Sequence, residues 1–256
     1  MLARRVTPRI ASRAASRLLG VRPAAGVVAL ATNENGIYLP ASIEESTAIG
    51  GTLNTIWPFQ GASSPLADIP DAALDMTANG TLGYQQAIEG WDRVFVNMPE
   101  VANNRLTFGT AVFPATESFV LLLLARINAA GASARRIANL GTSGVLNISA
   151  NSNGTLNLNV ATVQASGAVD YVTDASARLF SIEWDIRDAG AVRVRTALET
   201  IAGTYGAVGD HPSCHLGGSG GLSPPDIDLG WAGLARGANA EALIDANPIT
   251  VYTVPA

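Results

Sequence analysis

Two carboxylates at alternate positions lie in the segment of this sequence best suited to acid–base chemistry. Glu183, Asp185 and Arg187 alternate with the apolar residues of a run that begins at Phe180. Side chains two residues apart lie on the same face of a β-strand, so the two carboxylates would be neighbours. Paired carboxylates cleave glycosidic bonds in many hydrolases. The simpler interpretation is a solvated or partner-facing strand face that meets a ligand without cleaving it.

A second group of reactive side chains lies between residues 210 and 215. His211, Cys214 and His215 include both histidines and the only cysteine of the chain, and Asp210 precedes them. Imidazole and thiolate are ligands of zinc, so these three residues are candidate metal ligands, with Asp210 or a symmetry-related copy as the fourth. Three ligands so close in sequence fit a tetrahedral site poorly. We therefore expect no cofactor, with strand-end capping as the role of these residues and a metal ion as the alternative.

The N-terminal segment is basic, whereas the rest of the chain is acidic. Residues 1–22 contain no acid, and residues 23–256 carry 10 Arg against 21 Asp and Glu, a net charge of −11. The spacing within residues 9–18 predicts a short amphipathic helix, or else an extended arm. The arginines of this arm are the candidate docking residues for a larger assembly: Arg4, Arg5, Arg9, Arg13, Arg17 and Arg22.

Short alternating apolar segments predict an all-β body. Residues 145–150 and 155–160 alternate apolar and polar side chains around Asn153-Gly154, which predicts a hairpin with a type I′ turn. Residues 180–187 and 192–195 predict a second hairpin that turns at residues 188–190. The pattern is that of a two-sheet antiparallel β-sandwich.

Two further segments of the body have their own signatures. Residues 119–127 are apolar on both faces, which suits a central strand, although a leucine run of this length could also be a helix. Residues 239–245 predict a helix with Asn239 as its N-cap and Glu241 in its first turn. We divide the chain into a basic anchoring arm (1–22), an irregular segment with short strands (23–68) and a jelly-roll domain (69–256).

A succession of motifs from residue 69 onward resembles the laminin-G-like branch of the concanavalin A-like lectin and glucanase superfamily, as found in virion proteins of tailed bacteriophages. The motifs are Glu117-Ser118-Phe119 opening an apolar strand, the Leu156 hairpin, Arg178 to Trp184 leading into Val192-Arg193-Val194, Leu216-Gly217-Gly218, Trp231 to Ala235, and the helix from Asn239. The resemblance implies two curved antiparallel sheets packed face to face, often used to bind carbohydrate or protein.

One motif also resembles the acidic strand of the laminarinase-type glycosidases of this superfamily. In that strand a third acid is the proton donor, and here its position is taken by Arg187 or shifted to Asp188. The mechanism would lack the partner that it requires. We therefore expect that the protein is not an enzyme.

These features together predict a structural protein on the surface of a tailed bacteriophage particle, a head decoration or cement protein in preference to a tail or fibre component. A binding fold, no secretory signal, a single cysteine and a basic arm on an acidic body all suit a protein made in the host cytoplasm and carried on the virion. The expected partners are the major capsid protein or other virion subunits, further copies in a trimer, and a host surface glycan.

Other functions are weighed against this one. The main alternative is a carbohydrate-binding adhesin or a degenerate glycosidase of the same fold. An Arg-rich, acid-free leader also resembles a mitochondrial transit peptide. Nucleic acid binding is not expected because the acidic body would repel the polymer. Membrane insertion is not expected either, since the longest apolar run, Phe119–Ala125, is far shorter than the roughly 20 residues of a membrane span.

Overall fold

The computed structural model describes residues 32–59, 75–108, 113, 116–129, 131, 135–140, 146–160, 163–174, 176–204, 214–218 and 223–254. The basic arm, His211 and both predicted domain boundaries lie outside these residues. The described strands and helices are, in chain order, β1 (Thr32–Glu34), β2 (Ile37–Leu39), α1 (Ile43–Ala48), β3 (Thr55–Trp57), β4 (Thr77–Asn79), β5 (Gly83–Ala87), β6 (Val94–Met98), β7 (Arg105–Thr107), β8 (Phe119–Ala129), β9 (Arg135–Leu140), β10 (Leu146–Ala150), β11 (Leu156–Val160), β12 (Val163–Ser166), α2 (Tyr171–Asp174), β13 (Arg178–Asp185), β14 (Ala191–Arg195), β15 (Thr200–Thr204), β16 (Cys214–Gly217), β17 (Asp226–Arg236), α3 (Gly237–Ala246) and α4 (Pro248–Tyr252).

Two antiparallel sheets face each other and confirm the predicted all-β sandwich. The smaller sheet has the order β12-β11-β10-β9-β16-β7-β4. The larger sheet has the order β15-β14-β13-β8-β17-β6-β5, and β3 pairs with β17 beyond the end of β6. Every neighbour in the larger sheet is antiparallel to the next, as a jelly roll requires.

The predicted central strand is β8, which lies between β13 and β17 in the middle of the larger sheet. Leu121, Leu123 and Ile127 face the core between the two sheets. Leu122 and Leu124 belong to a second core on the opposite face of the same sheet. Because both faces of β8 are covered, the run is apolar throughout, as is typical of a strand buried on both sides.

The second core is closed by an outer layer made from both ends of the described chain. Leu39 of β2 and Leu243 and Ile249 of the C-terminal helices pack onto the outer face of the larger sheet. The indole nitrogen of Trp231 donates a hydrogen bond to the carbonyl of Pro40 at 3.0 Å, which joins β17 to the β2–α1 connection. The outer layer covers the middle of the larger sheet.

The β10–β11 hairpin forms as predicted, but its turn is different. Ala150 pairs with Leu156, so the connection has five residues instead of two. Gly154 has a φ of 79°, whereas Asn153 is not among the positive-φ residues, and the type I′ prediction is therefore wrong. Asn153 instead accepts hydrogen bonds from the amide and hydroxyl of Thr155. This side-chain bonding supports a longer loop that needs only one positive φ.

The second predicted hairpin is confirmed, with a single 3-10 turn at Ile186–Asp188 before Ala189 and Gly190 adopt positive φ. The predicted helix near residue 240 also forms, but it begins at Gly237, so Asn239 is not its N-cap and Glu241 is not in its first turn. The amide of Gly237 bonds to the carbonyl of Ser118 next to β8. The pairing of β17 with β8 ends at Arg236, and α3 begins at the next residue without a capping side chain.

No helix in the described part of the chain is long and apolar enough to cross a membrane.

Candidate functional site

The predicted ligand face does not lie open to solvent. The Glu183 side chain is fully buried on β13, and Asp185 is 5% exposed. Arg195 on β14 forms an ion pair with Glu183 at 2.9 Å, and the hydroxyl of Ser181 donates to the same carboxylate at 3.0 Å. Burial raises the pKa of Glu183, although Arg195 opposes the rise. The prediction of a solvated strand face is wrong for these two carboxylates, because the pairing of β13 with β14 places an arginine over Glu183.

Asp185 and Arg187 form part of an internal bridge that we call the Arg187 bridge. The Arg187 guanidinium donates to both oxygens of Asp185, at 2.9 and 3.0 Å, and to both oxygens of Asp245 on α3. The hydrogen bonds from Arg187 lower the pKa of Asp185 and of Asp245. Arg187 thus ties the end of β13 to the outer layer; its side chain is 38% exposed and that of Asp245 66% exposed, whereas Asp185 is buried. A ligand role for these residues stays a prediction.

Two of the predicted metal ligands are consecutive residues of β16. Cys214 and Leu216 belong to the core between the sheets, so strand alternation directs His215 to the opposite face. Burial raises the pKa of the Cys214 thiol to about 12, which disfavours the thiolate that binds metals. The described residues contain no group of three or more potential ligands. A metal role that includes His211 stays a prediction.

A set of polar residues that we call the outer-face patch lies where β6, β8 and β17 run side by side at one end of the larger sheet. Ile227 and Leu229 face the inter-sheet core, so the aspartates that alternate with them point outward. Asp228 pairs in register with both Asn97 on β6 and Arg126 on β8. The patch consists of Asn97, Arg126, Asn128, Asp226 and Asp228.

Hydrogen bonds hold the outer-face patch in one arrangement. Asp228 is 2% exposed and accepts from the Nη2 and Nε atoms of Arg126 at 2.7 and 3.1 Å. The amide nitrogen of Asn97 donates to Asp226 and Asp228, at 2.9 Å each. The amide nitrogen of Asn128 also donates to both aspartates, at 3.1 and 2.9 Å. Each side chain is therefore fixed by its neighbours, while Asn97, Arg126, Asn128 and Asp226 remain half-exposed.

A glycine borders the outer-face patch. Gly83 on β5 pairs with Asn97, and a Cβ atom at Gly83 would lie 3.4 Å from the Asn97 Cβ and 3.2 Å from the amide nitrogen of Gln86. A side chain there would crowd both amides. Further along β6, Phe95 lies on the same face and meets the half-buried Trp91 edge-on at 5.8 Å. The patch thus combines half-exposed amides with a half-exposed carboxylate.

The outer-face patch is not predicted by any motif of the sequence. The one local signal is the Asp226-Ile227-Asp228 alternation, which is as regular as that of Glu183 and Asp185. Asn97 and Asn128 lie about 130 and 100 residues away along the chain, and only the strand register brings them to these aspartates.

Comparisons with protein-family models and with curated protein sequences give no match. Among solved structures, the binding domain of Paraclostridial Mosquitocidal Protein 1 is similar, with a TM-score of 0.56 and 11% identity over 78% of this chain. This chain spans about half of that structure, covering 52% of it. A mutant of Trypanosoma rangeli sialidase displaying trans-sialidase activity matches with a TM-score of 0.48 and 14% identity, covering 73% of this chain and 35% of that one. The Emp47p carbohydrate recognition domain matches with a TM-score of 0.41 and 13% identity, covering 62% of this chain and 88% of that one. At these identities the similarity to the mosquitocidal binding domain shows a shared fold.

Proposed function

We propose that this chain is a carbohydrate-binding protein without catalytic activity and that the outer-face patch is its binding surface. The observation that carries the proposal is the set of half-exposed amide and carboxylate groups that three neighbouring strands hold in fixed positions. Sugar hydroxyls bind to such planar polar groups, and groups held rigidly lose little conformational entropy when a ligand arrives.

The same geometry argues against hydrolysis at this patch. A glycosidase needs two carboxyl groups that both reach the scissile bond, one as acid and the other as base or nucleophile. Asp226 is half-exposed, but Asp228 is buried and both of its oxygens accept hydrogen bonds from Arg126, Asn97 and Asn128. Asp228 therefore serves to position the amides and is not available to a substrate.

Substitution at the patch tests this proposal. We expect Asn128→Ala to weaken binding to glycans found on a glycan array, by about tenfold, because each hydrogen bond contributes about 1 kcal/mol and the Asn128 amide also orients Asp226. Thr204→Ala, an exposed change on β15 at the opposite edge of the same sheet, is the matched control and should bind like the wild type. If the array shows no binding by the wild type, or if both variants bind equally, the proposal is wrong.

We propose further that the protein is displayed on a tailed bacteriophage particle, on the head in preference to the tail or fibre, through its N-terminal arm. The supporting observation is the charge pattern: six arginines without an acid in residues 1–22, followed by a body with a net charge of −11. Arginine forms bidentate hydrogen bonds with carboxylates, so acidic capsid subunits are suitable partners, and a trimer of the chain would add avidity.

Deletion of residues 1–22 tests the display proposal. The truncated protein should fold normally, because the described cores are formed by residues 32–254, but it should be absent from purified particles. Incorporation of the truncated protein at the wild-type copy number would contradict docking through the arm. Replacement of all six arginines by glutamine separates the role of charge from that of length.

A further inference from the structure

We infer that the outer-face patch selects uncharged or amine-bearing sugars and rejects sugars that carry a carboxylate, sulfate or phosphate group. This inference rests on the proposed carbohydrate binding and names the ligand class of the same site. It follows from counting which hydrogen-bonding groups of the patch are already engaged and which remain for a ligand.

The amide donors of the patch are used internally. An asparagine NH2 group has two protons, and Asn97 directs them to Asp226 and Asp228. Asn128 directs its two protons to the same aspartates. Neither amide therefore has a proton left for the oxygen of an anionic ligand.

The carboxylate and the amides of the patch leave acceptors for a ligand, and the donors that remain are N–H groups of Arg126, whose charge is offset by Asp228. Within the described part of the chain, three acceptors take part in none of the hydrogen bonds found at the patch. They are the second oxygen of Asp226 and the side-chain carbonyls of Asn97 and Asn128. These acceptors lie on half-exposed side chains. A ligand must supply donors to them, and the adjacent hydroxyls of a hexose or the ammonium group of an amino sugar do so.

The net negative charge of the patch also disfavours anionic sugars. Two carboxylates face one guanidinium, and Arg126 directs two of its nitrogens to the buried Asp228, which offsets its charge. Arg93, the next arginine along the same face of β6, is 10% exposed and bonds to Glu34 and to the carbonyl of Gly230. A carboxylate or sulfate brought to Asp226 would thus meet like charge, which costs affinity and provides selectivity.

Three tetrasaccharides of matched length test the inference by isothermal titration calorimetry: one of glucosamine, one of glucose and one of galacturonic acid. We expect the glucosamine tetramer to bind about threefold more tightly than the glucose tetramer, because its ammonium group gains one exposed ion pair with Asp226. The galacturonic acid tetramer should have the lowest affinity of the three. Asp226→Asn keeps the shape of the patch and removes this charge. It should abolish the preference for glucosamine over glucose, whereas Asp188→Asn, a control on another part of the body, should preserve it.

Several outcomes distinguish failure of the inference from failure of the proposed function. If the uronate tetramer binds most tightly and Asn128→Ala weakens it, the site is a glycan site and the inference is wrong. If Asp226→Asn leaves the glucosamine preference unchanged, the preference reflects the acidic body as a whole and the inference is again wrong. Loss of binding in EDTA would also overturn it, because the acceptors would then hold a cation. If no sugar binds, here or on the array, the proposed function itself is wrong.

Discussion

Removal of the arginine that neutralises the buried Glu183 should destabilise the fold in a pH-dependent way. The perturbation is Arg195→Met, which keeps the length of the apolar stem and removes the charge. Arg195 is 19% exposed, and its partner Glu183 is fully buried. Breaking a fully buried ion pair by removing one partner costs about 3–5 kcal/mol. Since Arg195 retains contact with solvent, we expect a loss of about 2–3 kcal/mol in the free energy of unfolding at neutral pH.

The pH dependence follows from the direction of the pKa shift. Burial raises the pKa of Glu183 in the folded state above its unfolded value. A carboxyl group with a raised folded pKa favours the folded state at low pH, and this contribution is lost as the pH rises through the folded pKa. Removal of Arg195 takes away the main group that opposes this rise, so the Arg195→Met variant should lose less stability at pH 5 than at pH 7.

Urea unfolding at both pH values measures this effect. Arg135→Met is the control, because the Arg135 side chain on β9 has almost the same exposure, 20%, but pairs with Glu100, an exposed residue. Such an exposed pair contributes about 0–1 kcal/mol. A loss for Arg195→Met that is below 1 kcal/mol at pH 7, or that is the same at both pH values, would refute the account of Glu183 as a carboxylate stabilised in the core by its partner.

Three further predictions concern other parts of the fold. Arg187 lowers the pKa of Asp185 in the folded protein. The stability that the Arg187 bridge contributes is therefore present above the unfolded pKa of about 4 and is lost as the pH falls through the folded pKa. Asp185→Asn should accordingly flatten the acid limb of a plot of melting temperature against pH. Gly154→Ala should destabilise by about 1 kcal/mol more than Gly90→Ala in chemical denaturation. Both glycines have positive φ, but only at Gly154 would a Cβ atom meet a neighbour, the Asp170 carboxylate, and equal losses would contradict this contact. Cys214 should resist thiol reagents at pH 8 until the protein unfolds, since burial raises its pKa to about 12, and rapid labelling of the native protein would show that the core opens at β16.

Much of the fold was determined by local sequence patterns. The apolar run of β8 suits a strand buried on both faces, although the sequence also allowed a helix, and the sheet decides for the strand. The alternation in β10 and β11 and in β13 and β14 predicts two hairpins, and both pairings form in the expected order. Alternation with a period of two is a property of the chain itself, so it can be read without knowledge of the neighbours.

Tertiary structure decided which polar faces are covered and which are available. The alternation at Glu183 and Asp185 is indistinguishable from that at Asp226 and Asp228, yet Glu183 and Asp185 are both buried against arginines, whereas Asp226 stays half-exposed beside the buried Asp228. The difference comes from residues far away in the chain, such as Asp245 on α3 and Asn97 on β6. Strand register and the packing of the outer layer bring these residues together, and neither is encoded within the local pattern of a single strand.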